Sequence, residues 1–231
     1  MKRLLCILLT LAMLLTLSAC GGGKSGETAP AAPEATAAPE ATAAPEPELS
    51  AGDMIGEKGE RGYVNKALKI RADLPEDWIL LSNEEVAEVM GYTREMVTDE
   101  EVAAILDESG AVCDFYAMAA DGSGSNLNIQ LQSLTLMQGA AVNETTLAEA
   151  SLDQVKQALE SIGMEDVTPT TERFLFAGKE HASIACTATY MGVPLFERQV
   201  IVKVGRYIGI VTSFAYSQED ADSYLAFFSA A

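Results

Sequence analysis

LFERQVIVKVGRYIGIVTSFA, residues 195–215, is the stretch that decides the fold. A run rich in Val and Ile reaches Val204, Gly205-Arg206 breaks it, and a second such run follows from Tyr207 to Ala215. Two β-prone runs around a two-residue Gly-bearing break read as an antiparallel hairpin. Working outward, residues 180–190 and 171–176 repeat the pattern, separated by Gly192 with Pro194 and by Ala177-Gly178-Lys179. Four consecutive strands with short Gly-bearing connections imply an antiparallel meander.

Further upstream, residues 112–120 and 126–134 alternate on either side of Asp121-Gly122-Ser123-Gly124-Ser125. Leu127, Ile129 and Leu131 face one way and Asn128, Gln130 and Gln132 the other, so this hairpin should carry one wet or otherwise polar face. Tyr63 to Arg71 reads as a first strand, with Leu68 and Ile70 inward, and Trp78 should cover one end of the core. Ser82-Asn83-Glu84-Glu85 and Thr98-Asp99-Glu100-Glu101 are capping boxes that start two helices, with Gly91 and Gly110 as left-handed stops. Leu152, Val155, Leu159 and Ile162 mark a third helix over 145–162, with Gly163 behind it. Ser217 should cap a last helix to about residue 229. The predicted class is α+β: a curved antiparallel sheet flanked by helices, spanning 63–231.

The remainder of the 231 residues is of another kind. Lys2 and Arg3 precede an apolar run from Leu4 to Leu17, then small residues; residues 1–19 read as a secretory signal. Leu17-Ser18-Ala19-Cys20 resembles the lipobox of bacterial lipoproteins. That resemblance implies cleavage before Cys20 and a diacylglyceryl group on its thiol, hence a lipid anchor on the extracytoplasmic face of the cell membrane; Cys6 would leave with the signal. Two acyl chains suffice for stable attachment. Residues 20–62 read as a disordered tether, with Ala-Pro-Glu-Ala-Thr-Ala repeated at 32–37 and 38–43 and five of the eight prolines between Pro30 and Pro47. Gly23-Lys24-Ser25 imitates the tail of a phosphate loop, but Ser18 stands where that motif needs Gly, and no strand precedes it.

Charge sharpens the division. Losing Lys2 and Arg3 takes the formal charge from −19 to −21, of which the tether carries −5 and residues 63–231 carry −16. An acidic surface excludes general nucleic-acid binding, and acids along the tether discourage its collapse onto an anionic membrane.

Tyr63-x-Asn65-x-x-Leu68-x-Ile70-x-x-x-Leu74-Pro75-x-x-Trp78 and Asp114-Phe115-Tyr116-Ala117-Met118 resemble PsbP-like domains, whose fold is shared with the nuclear transport factor Mog. Asn126-Leu127-Asn128-Ile129 and Phe176-Ala177-Gly178-Lys179-Glu180 fit the same pattern. The resemblance implies a curved antiparallel sheet between helical layers, used largely to bind other macromolecules. It carries over no catalytic residue.

Chemistry-bearing residues are few. His181 is the only imidazole; no Gly-x-Ser-x-Gly elbow accompanies it, and its place at a strand start suggests a surface or strand-end role. Asp121-Gly122-Ser123-Gly124-Ser125 matches the Asp-x-Ser-x-Ser metal motif of von Willebrand A-type domains, yet a strand follows it where that family has a helix, and Gly and Ser are turn formers. Nine acids against Arg94 between Glu84 and Glu108 could mark a cation site or a basic partner's footprint, but more often form a solvated helix face, with acids near helix starts where the dipole favours them. Cys113 and Cys186 lie on predicted strands in an oxidising compartment, and a disulfide between them stays open. Tyr190, Phe196, Tyr207, Phe214 and Tyr216 line a pocket or pack across strands. The expectation is a membrane-anchored, non-enzymatic module with no cofactor, binding an extracytoplasmic protein or envelope component. The alternative is a solute- or cation-binding lipoprotein that serves a transporter.

Overall fold

A computed structural model describes residues 49–92 and 98–231. Residues 1–48, with the signal, Cys20 and most of the tether, and residues 93–97, with Arg94, lie outside the described part. The chain runs through α1 (Ala51–Met54), β1 (Glu57–Lys58), β2 (Gly62–Asn65), β3 (Ile70–Asp73) and β4 (Trp78–Leu80). Next come α2 (Asn83–Met90), α3 (Asp99–Ser109), β5 (Ala111–Ala119), β6 (Asn126–Ser133), α4 (Leu136–Ala141) and α5 (Glu144–Ser161). The meander β7 (Glu165–Phe176), β8 (Lys179–Tyr190), β9 (Val193–Val204) and β10 (Tyr207–Ala215) follows, then α6 (Gln218–Tyr224), a 3-10 turn (Leu225–Phe227) and β11 (Phe228–Ala230).

The class is α+β, with antiparallel sheets flanked by helices. One sheet has seven strands in the order β4-β5-β6-β10-β9-β8-β7, and a small one has the order β1-β2-β3-β11. Leu127, Ile129, Leu131, Val200, Val202 and Val211 turn one face of the large sheet toward the small sheet, α1 and α3, in a core that includes Met54, Tyr63, Ile70 and Leu106. Ile184, Ile201, Ile208, Ile210 and Phe214 turn the other face toward Leu147, Val155 and Leu159 of α5. Among the described residues no helix is long and apolar enough to cross a membrane.

The helix signals are realised as read. Ser82 accepts from the Glu85 amide while Glu85 accepts from the Ser82 amide, and Gly91 ends α2 at φ +69°. Thr98 and Glu101 do the same for α3, which stops at Gly110, φ +76°.

Three expectations fail, and the polar hairpin face, left open between wet and covered, proves covered. The first strand is two strands: Lys69 turns left-handed at φ 57°, Asn65 Oδ1 accepts from the Leu68 amide at 2.8 Å, and Leu68 leaves the ladder to press on Gly209 of β10. The last helix stops at Tyr224, because Phe228–Ala230 pairs with β3 and closes the small sheet. The polar side of the first hairpin is dry: Asn126, Asn128, Gln130 and Gln132 are all buried. They run between the part of the sheet under α5 and the part where Cys113 and Tyr116 pack on Leu81 and Val86. Finally, the folded unit starts earlier than residue 63. The boundary falls inside β2, and upstream of it Ser50 and Asp53 form a capping box for α1 while Met54 is fully buried. Met54 and Ile55 are apolar islands too short to show against the repeats before them.

A chain beginning at Tyr63 should therefore be less stable than one beginning at Leu49. Losing Met54 from the core, and the Gly56 amide that donates to the buried Asp114 carboxylate of β5, costs ~3 kcal/mol or more. Urea unfolding of the two chains checks this; equal midpoints would place residues 49–62 outside the folded unit.

Candidate functional site

The end of the large sheet carries the clearest site. β7 is its last strand, and its outer edge pairs with no strand among the described residues. Pro169 sits on this strand, where a missing ladder donor is tolerated. Asp166 takes φ 53° beside a register shift between Glu165 and Thr168, a bulge that bends the exposed edge.

On the face of β7, β8 and β9 beside α6 lies an open groove of about 220 Å³, lined by Thr168, Thr170, Glu172, Thr187, Phe196 and Asp222. Arg198 of β9 forms its buried wall. Its guanidinium donates to Asp222 of α6 through Nε at 2.5 Å and Nη2 at 3.2 Å, and through Nη1 to Glu172 of β7. It also stacks 4.7 Å from the Phe174 ring centre. Burial alone would lower the Arg198 pKa, but the contacts with Asp222 and Glu172 outweigh it and the net direction is up. The guanidinium stays charged and ties α6 to two strands. Bidentate Arg–carboxylate geometry is the strong form of this contact.

His181 is buried rather than at the surface. Its Nδ1 lies 3.0 Å from Glu144 Oε1, at the start of α5. Glu144 also accepts from the Lys203 amide at 3.1 Å and the Ala182 amide at 3.4 Å. Burial pushes the Glu144 pKa up, and the bonds from His181 and Lys203 overcome that and lower it. The pair fastens α5 across β8 and β9. The single imidazole was visible in the sequence; its partner, 37 residues away, was not.

Cys113 and Cys186 are both free and buried. They sit on β5 and β8, with β6, β10 and β9 between them. At about 4.8 Å per strand that is roughly 19 Å, against the ~7 Å that a disulfide spans. Burial, the leading cause, pushes each thiol up to about 12, so neither is a thiolate nucleophile at neutral pH.

Asp121 spends its carboxylate on the turn, accepting from the Ser123 amide at 2.8 Å. Among the described residues no three His, Cys, Asp or Glu side chains come together as a metal cluster. Of the acids between Glu84 and Glu108, Glu85 and Glu101 serve their own helix caps. Of the aromatic set, Tyr207 and Phe214 are core, Phe214 packs 5.8 Å from Tyr216, and Phe196 reaches the groove.

Sequence reading missed the buried carboxyl of Glu197. It sits beside Cys186, Leu159, Met164 and Phe214 at a void of about 10 Å³. Gln199 Nε2 donates to its Oε1, while Oε2 has no hydrogen-bond partner. Burial raises its pKa to about 7. A charged residue in step with Leu195 and Ile201 on one face of a β-run was the one available signal.

Comparison of the chain with protein-family models and with curated proteins found no match.

Two outcomes are expected. Because the folded pKa of Glu197 lies above the ordinary carboxyl value, its contribution is full below pH ~4.5 and is lost as pH rises through about 7. Glu197→Gln should leave stability nearly unchanged at pH 5 and raise it by ~1–3 kcal/mol at pH 8; thermal melts at the two pH values check this. Asp222→Ala should cost ~1–3 kcal/mol by leaving Arg198 under-paired, with amide exchange rising first in α6.

Proposed function

We propose that this chain is a lipid-anchored extracytoplasmic lipoprotein: signal 1–19, diacylglyceryl on Cys20, a tether, and a PsbP-like domain of the Mog type acting as a non-enzymatic binding module for a protein or envelope component. The observation that carries the binding reading is the groove at the β7 end. It is preformed, held by the Arg198 clamp, lined with exposed threonines and open to an extended partner. The lipobox Leu17-Ser18-Ala19-Cys20 supports the anchor. The two-sheet architecture between helices supports the PsbP-like reading, as does Trp78, which ends buried against Tyr224 and Phe227.

Partner choice follows from charge. The charge of −16 on residues 63–231 favours a cationic or neutral surface. Cargo carriage for a transporter is the weaker reading, because the groove is smaller than the ~300–1,000 Å³ of enclosed ligand pockets. Both of its carboxylates are also already held by Arg198.

Two experiments test this. Cys20→Ser should release the protein from the membrane fraction and abolish labelling by a fatty-acid precursor; retained labelling would refute the anchor. Thr170→Arg with Thr187→Arg fills the groove from two exposed positions. It should cut envelope-partner capture by about tenfold, equivalent to ~1.4 kcal/mol, with the melting temperature unchanged. Undiminished capture would place binding elsewhere.

A further inference from the structure

The groove opens onto a sheet edge that is guarded at one end and bare at the other. Edge strands invite pairing with foreign strands, and natural proteins blunt them with Pro, bulges and charge. On β7 the backbone devices stop at Pro169. The bulge lies between Glu165 and Thr168, and from Thr170 to Phe176 the strand runs in unbroken register with β8. That leaves Thr170-Thr171-Glu172-Arg173-Phe174-Leu175-Phe176, about 20 Å of regular edge at roughly 3.4 Å per residue. Leu175 stands 68% exposed on it.

The hairpin loops fix which backbone groups face outward. Ala177-Gly178 has φ of 47° and 81°, and Met191-Gly192 has φ of 50° and 79°; both are two-residue loops of the I′ form. Such a loop is closed by a mutually hydrogen-bonded pair, here Phe176 with Lys179 and Tyr190 with Val193. Pairs alternate along an antiparallel ladder, so Thr170, Glu172, Phe174 and Phe176 turn their amides and carbonyls toward β8. In keeping with this, the Glu172 carbonyl accepts from the Ser183 hydroxyl of β8 at 3.3 Å. Thr171, Arg173 and Leu175 turn theirs outward, where no described strand takes them. The same alternation puts the donor that Pro169 lacks on the outer side.

The charges here are acidic on balance. On the groove side, Glu172 and Asp222 are taken up by Arg198, but Glu219 and Asp220 lie exposed on α6, a helix with no base. Glu165 and Asp166 are exposed at the guarded end of β7. On the other side, α5 carries Glu149, Asp153 and Glu160 against Lys156, which reaches Glu160 at 3.9 Å. Arg173 donates to the Glu180 carbonyl at 2.9 Å, and Lys179 adjoins Glu180.

These features select the occupant. Side chains of an added strand alternate between the two faces. Those beside Thr170 and Glu172 enter the groove near the free acids of α6; those beside Thr171, Arg173 and Leu175 meet a base and an apolar side chain. A second copy does not fit, because antiparallel self-pairing over the whole stretch centres on Arg173 and sets two arginines opposite each other. The Ala-Pro-Glu-Ala-Thr-Ala repeats of this chain bring Pro and Glu, which suit neither the ladder nor the charge.

We propose that the β7 edge takes its partner by strand addition: an extended segment pairs with Thr171, Arg173 and Leu175 and alternates cationic side chains over the groove with apolar ones on the other face. The proposal rests on the reading of the groove end as a binding surface, and adds how the partner is held.

The test mixes the unlipidated chain from Gly21 onward with a short labelled peptide of alternating Lys and Val, or of alternating Glu and Val, at low salt where charge is least screened. The Lys peptide should bind at least about tenfold tighter and slow amide exchange at Thr171, Arg173 and Leu175. The same Lys peptide with alternate backbone nitrogens methylated should not bind. Thr171→Pro, which removes one outward donor, should weaken binding about tenfold, while Thr171→Ala should not. No preference for Lys, protection confined to other amides, or undiminished binding of the methylated peptide overturns the proposal. If Thr170→Arg with Thr187→Arg blocks partner capture and Thr171→Pro does not, the groove reading stands and strand addition falls.

Discussion

The carboxylate of Asp114 holds the two halves of the domain together. It is fully buried on β5, and its Oδ2 accepts from the Tyr63 hydroxyl at 2.6 Å and from the Gly56 amide at 2.9 Å. Asn65 extends the network, donating to the Tyr63 hydroxyl at 3.0 Å and to the Met54 carbonyl at 2.7 Å. One carboxylate thus fastens α1, the link to β1 and the small sheet to the large one. Burial raises the pKa of Asp114, opposed by Lys58, Tyr63 and the Gly56 amide; burial, then Asp114, raises that of Tyr63. The approach leaves no room for a side chain at Gly56, where a Cβ would lie 2.2 Å from the Tyr63 ring. Breaking a buried polar network costs more than its net worth when made, because the survivors stay desolvated.

Legibility followed range. The meander, the Val112–Leu134 hairpin and the capping boxes were readable because each is set by residues within two dozen positions of one another, joined by a short turn. The Asp114 network was not, since Tyr63 lies 51 residues from it and Gly56 lies 58 away. Period-two alternation told which side chains share a face, not whether that face is covered; hence Asn128, Gln130 and Gln132 were read as a polar face, wet or not, and are dry. The terminal strand was missed for a related reason. Ala221, Leu225 and Phe228 fit one helical face, and only pairing with β3 pulls Phe228 into a ladder. The candidate site was the least legible part: Arg198, Glu172 and Asp222 are ordinary surface-type residues until the topology brings them together.

Two features of this fold sit at opposite ends of the same strands. Near the β10 C-terminus, Arg198 converts three distant elements into the rigid wall of an open groove. Near the β10 N-terminus, Glu144 and His181 brace α5 against β8 and β9 beside the β9–β10 turn. The rigid sheet between them makes the orientation of one end a constraint on the other.

One measurement tests the groove reading most directly: photo-cross-linking in cells from position 170, on the groove, compared with a position outside it. The account expects protein or envelope adducts concentrated at 170. Equal adducts from both positions, or none from 170, would contradict it.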